Sequence, residues 1–189
     1  MDLYDLQTLE MAGPEPSFDP VMRDFLVNCA EELRVRHARG GLLDYACLGR
    51  DAPWLYRLTF RTRGLVRTDA GEIVPAEQHI VALRFLPDYL RRADRFEMLA
   101  LLAPRNAFHP NLIPSGICVE VRPGEPLVEI CESLHALFGW RLRQLAENDA
   151  LNRDACAWGR SHLDQLPIDT RPLFGRPFRI ALEPVEDKS

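Results

Sequence analysis

The residues able to do chemistry gather in one stretch, Phe108-His109-Pro110-Asn111-Leu112-Ile113-Pro114-Ser115-Gly116-Ile117-Cys118-Val119-Glu120. Cys118 offers a thiol, a strong nucleophile once ionised. His109 stands upstream in the same stretch, so a cysteine nucleophile with a histidine base is one reading. Asn111 carries an amide that can donate to a developing oxyanion, or bond backbone and order the loop. Pro104, Pro110, Pro114, Gly116, Pro123, Gly124 and Pro126 break any long regular element between residues 103 and 126. Loops of that length inside a domain are often functional. One that ends beside a helix start presents its cysteine openly.

The other cysteines have duller surroundings. Of the five, Cys29, Cys131 and Cys156 are placed on apolar helical faces, and Cys47 has no chemistry around it. An odd count, wide spacing and no CxxC pair argue against a disulfide framework and a zinc site. A chain of 189 residues favours one domain, and 47% hydrophobic residues suit a folded globule. A net charge of -5 leaves no basic footprint for nucleic acid. Arg91-Arg92 and Arg141-Leu142-Arg143 read as solvated faces. Met1-Asp2-Leu3-Tyr4-Asp5 lacks the start of a signal peptide, and no apolar run reaches a membrane span. The expectation is a cytoplasmic protein without a membrane or nucleic-acid partner.

The elements that must position the loop follow from periodicity. Residues 1–19 read as an acidic N-terminal extension. Asp19 predicts an N-cap with Pro20 at the first helical position. Val21, Phe25, Cys29 and Leu33 predict the helix's apolar face, and Gly40-Gly41 its end. Tyr56, Leu58 and Phe60 alternate with Arg57, Thr59 and Arg61 in a half-buried strand. Asp69-Ala70-Gly71 marks a turn. Val81, Leu83 and Phe85 predict a second strand, and residues 96–102 a third, ended by Pro104. After Pro126, Leu127, Ile130, Cys131, Leu134, Leu137 and Phe138 share a helical face. A further helix is expected from Asp149 to about His162, with Leu151, Ala155 and Trp158 on one face, and a short extended piece at Phe178-Arg179-Ile180. Trp54, Trp140 and Trp158 are expected core anchors, and Tyr89 is expected to pack. His79, His135 and His162 have no ligand-like grouping. The fold class is α+β: an N-terminal helix, an antiparallel meander of about four strands, an active-site loop and C-terminal helices. The organisation is an extension (1–19), a domain (20–170) and a tail (171–189).

His109-Pro110-Asn111, followed by Gly116-Ile117 directly before Cys118, resembles the active-site segment of the E2 ubiquitin-conjugating enzymes. Phe85-Leu86-Pro87-Asp88-Tyr89-Leu90 is similar to a degenerate form of that family's FPxxYP segment. Asn148-Asp149-Ala150-Leu151-Asn152 is similar to its acidic turn before the penultimate helix. The resemblance covers about residues 20–165. The spacing from His-Pro-Asn to the cysteine is about one residue shorter than the family's, and the stretch from Tyr89 to His109 is longer. Arg122-Pro123-Gly124-Glu125-Pro126 replaces the Trp and Ser-Pro that commonly follow the cysteine. These departures are similar to the stand-alone E2 proteins of bacterial ubiquitin-like operons, several of which serve antiphage defence.

The resemblance implies a UBC-like fold and a thioester carrier. An E1-like activating enzyme would load a ubiquitin-like protein onto Cys118, which would pass it to an amine on a protein target. It implies catalytic roles for Cys118, Asn111 and Asp149, the last orienting or deprotonating an incoming lysine or, alternatively, capping the helix near it. It implies structural roles at the active site for His109 and Pro110, no metal and no cofactor, with ATP used by the E1. Two other readings stand beside it: a non-catalytic adaptor of the same fold that binds a ubiquitin-like protein or E1, and a Cys-His hydrolase unrelated to conjugation.

Overall fold

Two helices precede the sheet, and each is shaped by its caps and its apolar spacing. The computed structural model describes residues 3–114, 116–146 and 150–175. Helix α1 (Leu3–Ala12) lies in the segment expected as an extension. Helix α2 (Pro20–His37) begins where expected: Asp19 Oδ1 accepts from Met22 N–H at 2.9 Å, and Pro20 follows the cap. Its buried face differs from the expected one. Met22, Leu26, Cys29 and Leu33 are buried, whereas Val21 is 69% exposed. A row of strict four-residue steps drifts about 40° per step around a helix of 3.6 residues per turn, so it cannot stay on one face. Alternating steps of four and three can.

The main sheet is antiparallel, in the order β1 (Leu43–Cys47), β2 (Leu55–Phe60), β5 (His79–Arg84), β6 (Leu99–Ala103). A separate hairpin, β3 (Gly64–Arg67) and β4 (Ile73–Ala76), turns around residues 68–71 between β2 and β5. Tyr56, Leu58, Phe60, Val81, Leu83 and Leu101 point into the main core. There they meet α2 and α4 (Leu127–Phe138), whose Leu127, Ile130, Cys131, Leu134, Leu137 and Phe138 are buried as periodicity predicts.

The other sheet face is also covered. Tyr4 of α1 packs with Ile80, Ala82 and Leu102, and Asp5 meets Arg57 at 2.6 Å. Arg84 donates to the Met11 and Ala12 carbonyls at the end of α1. Thr59, expected on a solvated face, is therefore 5% exposed. The Glu15 carboxylate accepts from the N–H groups of Arg50, Asp51 and Ala52 at 2.9–3.0 Å and fixes the chain after α1.

The expected strand over 96–102 starts late. Residues Arg95–Met98 form one helical turn, α3, and extended structure begins at Leu99. Asp94 caps the turn by accepting from Phe96 N–H at 3.0 Å. Local capping outcompetes the apolar run that reads as strand. The loop after β6 contains two very short strands, β7 (Leu112–Ile113) and β8 (Gly116–Ile117), paired antiparallel. Helix α5 (Arg153–Ser161) follows α4, and residues 173–174 return to the core, with Leu173 and Phe174 buried. The extended piece expected at Phe178-Arg179-Ile180 lies outside the described residues. No helix among the described residues is long and apolar enough to cross a membrane.

Candidate active site

The stretch around Cys118 is assembled from both ends. Upstream, it zips onto the β3 edge. Arg67 N–H donates to Asn106 O, the Asn106 amide donates back to Arg67 O at 2.8 Å, and Phe108 N–H donates to Leu65 O at 2.8 Å. Phe108 then enters a small second core with Leu65, Trp140 and Ala155, lined by Trp158. Its ring meets Trp158 edge-on at 5.9 Å and lies under the Arg67 guanidinium at 4.6 Å.

His109 is buried, 2% exposed, edge-on to the Trp140 indole with centroids 4.7 Å apart. Its Nδ1 accepts from Asn111 N–H at 3.0 Å, so the ring proton of the neutral imidazole sits on Nε2. Burial is the main cause that pushes its pKa down to about 3, helped by the neighbouring His79. A base that weak, with its acceptor nitrogen already engaged, cannot hold a thiol proton at neutral pH. Pro110 is buried, and its carbonyl accepts from Asn152 N–H at 3.0 Å.

Asn111 is the junction. Its Nδ2 donates to Cys118 O at 3.2 Å, and its Oδ1 accepts from Gln144 N–H at 2.9 Å. Its own carbonyl accepts from Cys118 N–H at 2.8 Å. Both backbone polar groups of Cys118 are thus held by one residue. The side chain of Asn111 occupies the loop-ordering arrangement, and its donor sits beside the cysteine.

Cys118 is half-buried, while Cys29, Cys131 and Cys156 are buried. Burial pushes the Cys29 and Cys131 thiols up. Cys47 is exposed on the edge strand β1, with its thiol also raised by desolvation. Cys118 directly follows β8, and its neighbours Ile117 and Val119 are buried at 0% and 2%. Alternate side chains of an extended chain face opposite sides, so Cys118 and the exposed Glu120 face outward, whereas Gly116 is buried beside the Phe96 ring.

Downstream, Glu120 and Arg122 pair at 3.0 Å, both largely exposed. Arg122 N–H donates to the Glu125 carboxylate at 2.8 Å. Tyr89, fully buried against Phe25 and Phe85, donates its hydroxyl to Glu125 O at 2.9 Å, and Gly124 N–H donates to Tyr89 O. Residues 85–90 therefore brace the segment after the cysteine.

Asp149 lies outside the described residues. The cap of α5 is Asn152, whose Oδ1 accepts from Ala155 N–H at 3.1 Å. Three contributors had no site role in the sequence reading, although Trp140 was expected as a core anchor and is fully buried. Trp140 walls His109. Asn152 ties α5 to Pro110. Phe96 lies over Gly116, where a Cβ would meet its ring at 3.0 Å. Only Phe96 had a local signal, Asp94 followed three residues later by Glu97, which marks a helix start. Among the described residues, no group of three or more His, Cys, Asp or Glu side chains could hold a metal ion. No protein-family model matches this chain, and no curated protein is significantly similar to it in sequence.

Proposed function

We propose that this chain is an E2-type conjugating enzyme with a UBC-like fold, carrying a ubiquitin-like protein as a thioester on Cys118. The observation that carries the reading is the clamp on Cys118. The residue stands half-exposed on an outward face, with its N–H and C=O both held by Asn111 of the His-Pro-Asn segment. The order of helix, four-stranded antiparallel sheet, loop and two helices is consistent with that fold.

The chemistry is two successive acyl transfers. The Cys118 thiolate attacks the thioester carbonyl presented by an E1-like enzyme. A new C–S bond forms, and the E1 thiolate leaves. An amine of a protein target then attacks the Cys118 thioester. A C–N bond forms, the C–S bond breaks, and the Cys118 thiolate returns while the amine proton passes to a base or to water. Asn111 Nδ2 is a donor that can turn from Cys118 O to the oxyanion of the second step. Asp149, by the family resemblance, orients the incoming lysine. ATP is consumed by the E1, and the chain itself uses no metal or cofactor. The setting proposed with this activity is a bacterial ubiquitin-like operon serving antiviral defence, in the cytoplasm.

The hydrolase reading is disfavoured by His109, whose acceptor nitrogen is engaged and whose basicity is lost. The test incubates the chain with the E1-like enzyme and ubiquitin-like protein encoded beside it, and ATP. A reductant-sensitive adduct is expected. It should vanish in Cys118→Ala and persist as a reductant-stable ester in Cys118→Ser. An adduct that survives Cys118→Ala defeats the proposal. Binding of the ubiquitin-like protein with no covalent adduct would instead favour the adaptor.

A further inference from the structure

The segment after α4 supplies the partner of Asn111, yet residues 143–146 form no regular secondary structure. Gln144 N–H donates to Asn111 Oδ1 at 2.9 Å, and Asn111 Nδ2 donates to Cys118 O at 3.2 Å. A side-chain amide can turn either its oxygen or its nitrogen towards a neighbour. The Gln144 bond fixes the oxygen end, so the donor end faces Cys118. That bond is only as firm as the backbone that carries Gln144. Of residues 143–146, only Leu145 is half-buried and the rest are exposed, so burial alone does not hold the segment.

A seat on α5 holds it instead. Leu145 O accepts from Arg160 Nη1 at 2.8 Å and from the Cys156 thiol at 2.9 Å. The Leu145 side chain lies against Gly159, 3.3 Å from where a Cβ would stand. Arg160 also reaches Cys156 Sγ at 3.3 Å, one turn earlier in the helix. The helix is in turn tied to the stretch upstream of Cys118. Asn152 N–H donates to Pro110 O at 3.0 Å, and Trp158 meets the Phe108 ring edge-on. A guanidinium is a charged donor and a thiol a weak one, so Arg160 is the stronger hold on Leu145 O. A bonded path therefore runs from Arg160 through the Gln144-Leu145 backbone and the Asn111 amide to Cys118.

We infer that Arg160 is a positioning residue for the transfer step: by holding Leu145 O it keeps Gln144 N–H on Asn111 Oδ1, and so keeps the Asn111 donor aimed at Cys118. The inference rests on the thioester-carrier reading. Arg160 acts through Asn111 and not on the reacting atoms. When an amine attacks the thioester, a C–N bond forms, the carbonyl oxygen takes up negative charge, and the C–S bond then breaks. A donor fixed beforehand stabilises that charge without reorganising, whereas one carried by a loose segment must first be ordered. Loading exchanges one thiolate for another and leans less on the donor, so the effect falls on transfer.

The test loads the full chain with the ubiquitin-like protein, using the E1-like enzyme encoded beside it and ATP, then chases the thioester with free lysine in a single turnover. Arg160→Met keeps the side-chain stem and removes the donor. It should slow discharge to lysine about tenfold while changing the loading rate by less than about twofold. Arg160→Lys, which keeps one cationic donor, should stay within about threefold of wild type. In an Asn111→Ala background, Arg160→Met should slow discharge no further, because the two residues act in series. Amide exchange at Gln144 should be faster in Arg160→Met. An unchanged discharge rate, parallel loss of loading and discharge, or a full Arg160→Met loss on top of Asn111→Ala would each overturn this role while leaving the carrier intact. Failure of the wild-type chain to form any Cys118 adduct would remove the carrier reading, and this one with it.

Discussion

The two arms that hold Cys118 are built differently. The upstream arm, residues 106–111, is anchored by buried Phe108, His109 and Pro110: it leans on Trp140 and is bonded to β3, to Asn152 and to Gln144. The downstream arm, residues 120–125, lies largely at the surface, with an exposed ion pair and the Tyr89 hydroxyl as its deep anchor. The proposed carrier, whose cysteine must meet large partners, needs one wall fixed and the other open. The upstream arm defines where Cys118 sits, and the downstream arm leaves room in front of it.

Trp140 shows what the rigid arm costs. Helix α4 ends in a Schellman arrangement: Trp140 N–H donates to Leu137 O, and Arg141 N–H donates to Ala136 O. Glycine normally takes the left-handed position of that motif, yet Trp140 holds it at φ 57°. A non-glycine residue there carries strain of about 1 kcal/mol or more. Full burial of the indole beside His109 and Trp158 outweighs it. Gly159 keeps the space open, since a Cβ there would meet the indole at 3.0 Å.

This contrast can be broken most strongly at Trp140. Trp140→Ala should lower unfolding stability by about 3–5 kcal/mol in urea titrations, and should loosen the His109–Asn111 segment, seen as faster amide exchange at Asn111 and Cys118. A loss below about 1 kcal/mol would mean that the small core does not support the loop.

Acid should act on the same side. Burial lowers the His109 pKa to about 3 and the His79 pKa to about 4, and lowers His135 as well. Below about pH 6.5 the unfolded chain takes up protons that the folded chain refuses. Stability is therefore complete above that pH and falls as pH drops towards 4, by a few kcal/mol in all. His79→Asn should flatten the slope of denaturation midpoint against pH between 6.5 and 4.5. An unchanged slope would show that His79 is not the group refusing the proton. Asp169 adds a later loss: burial alone would raise its pKa, but Arg171 and two backbone N–H groups hold it lower, so its contribution goes only as pH falls below the ordinary carboxylate range.

Asn111→Ala should cost about 1–2 kcal/mol, because Gln144 N–H loses its acceptor and Cys118 O its side-chain donor. Faster hydrogen exchange at Gln144 is the sharper readout, and protection equal to wild type would mean the clamp is not formed in solution. In the downstream arm, Tyr89→Phe should cost about 0.5–1.5 kcal/mol, the ordinary value of one hydrogen bond, measured by thermal unfolding. At the bottom of the scale, Glu120→Ala should leave the unfolding midpoint unchanged, since exposed ion pairs contribute little. A marked drop would make the downstream arm as structural as the upstream one.

Much of the architecture was legible because it is written in period and caps. The apolar face of α4, the Asp19-Pro20 start of α2 and the alternation in β2 and β5 are local patterns, and local patterns survive folding. The face of α2 was misplaced by one residue at its start, because every-fourth spacing looks helical yet drifts around the axis. The turn of α3 was hidden inside an apolar run. The burial of Thr59 was invisible because it depends on α1, which packs on the sheet from far away in the chain.

The sequence by itself singled out Cys118 among five cysteines, since chain-breaking residues and His-Pro-Asn surround it and apolar periodicity claims three of the others. It also placed His109 and Asn111 beside that cysteine. Tertiary structure alone decided what those neighbours do. His109 loses its basicity to the burial made by Trp140, Asn111 spends its amide on Cys118 O and Gln144, and Phe96 comes to rest on Gly116. Each outcome depends on contacts between residues separated along the chain, and such contacts leave no period, cap or motif for a sequence to display.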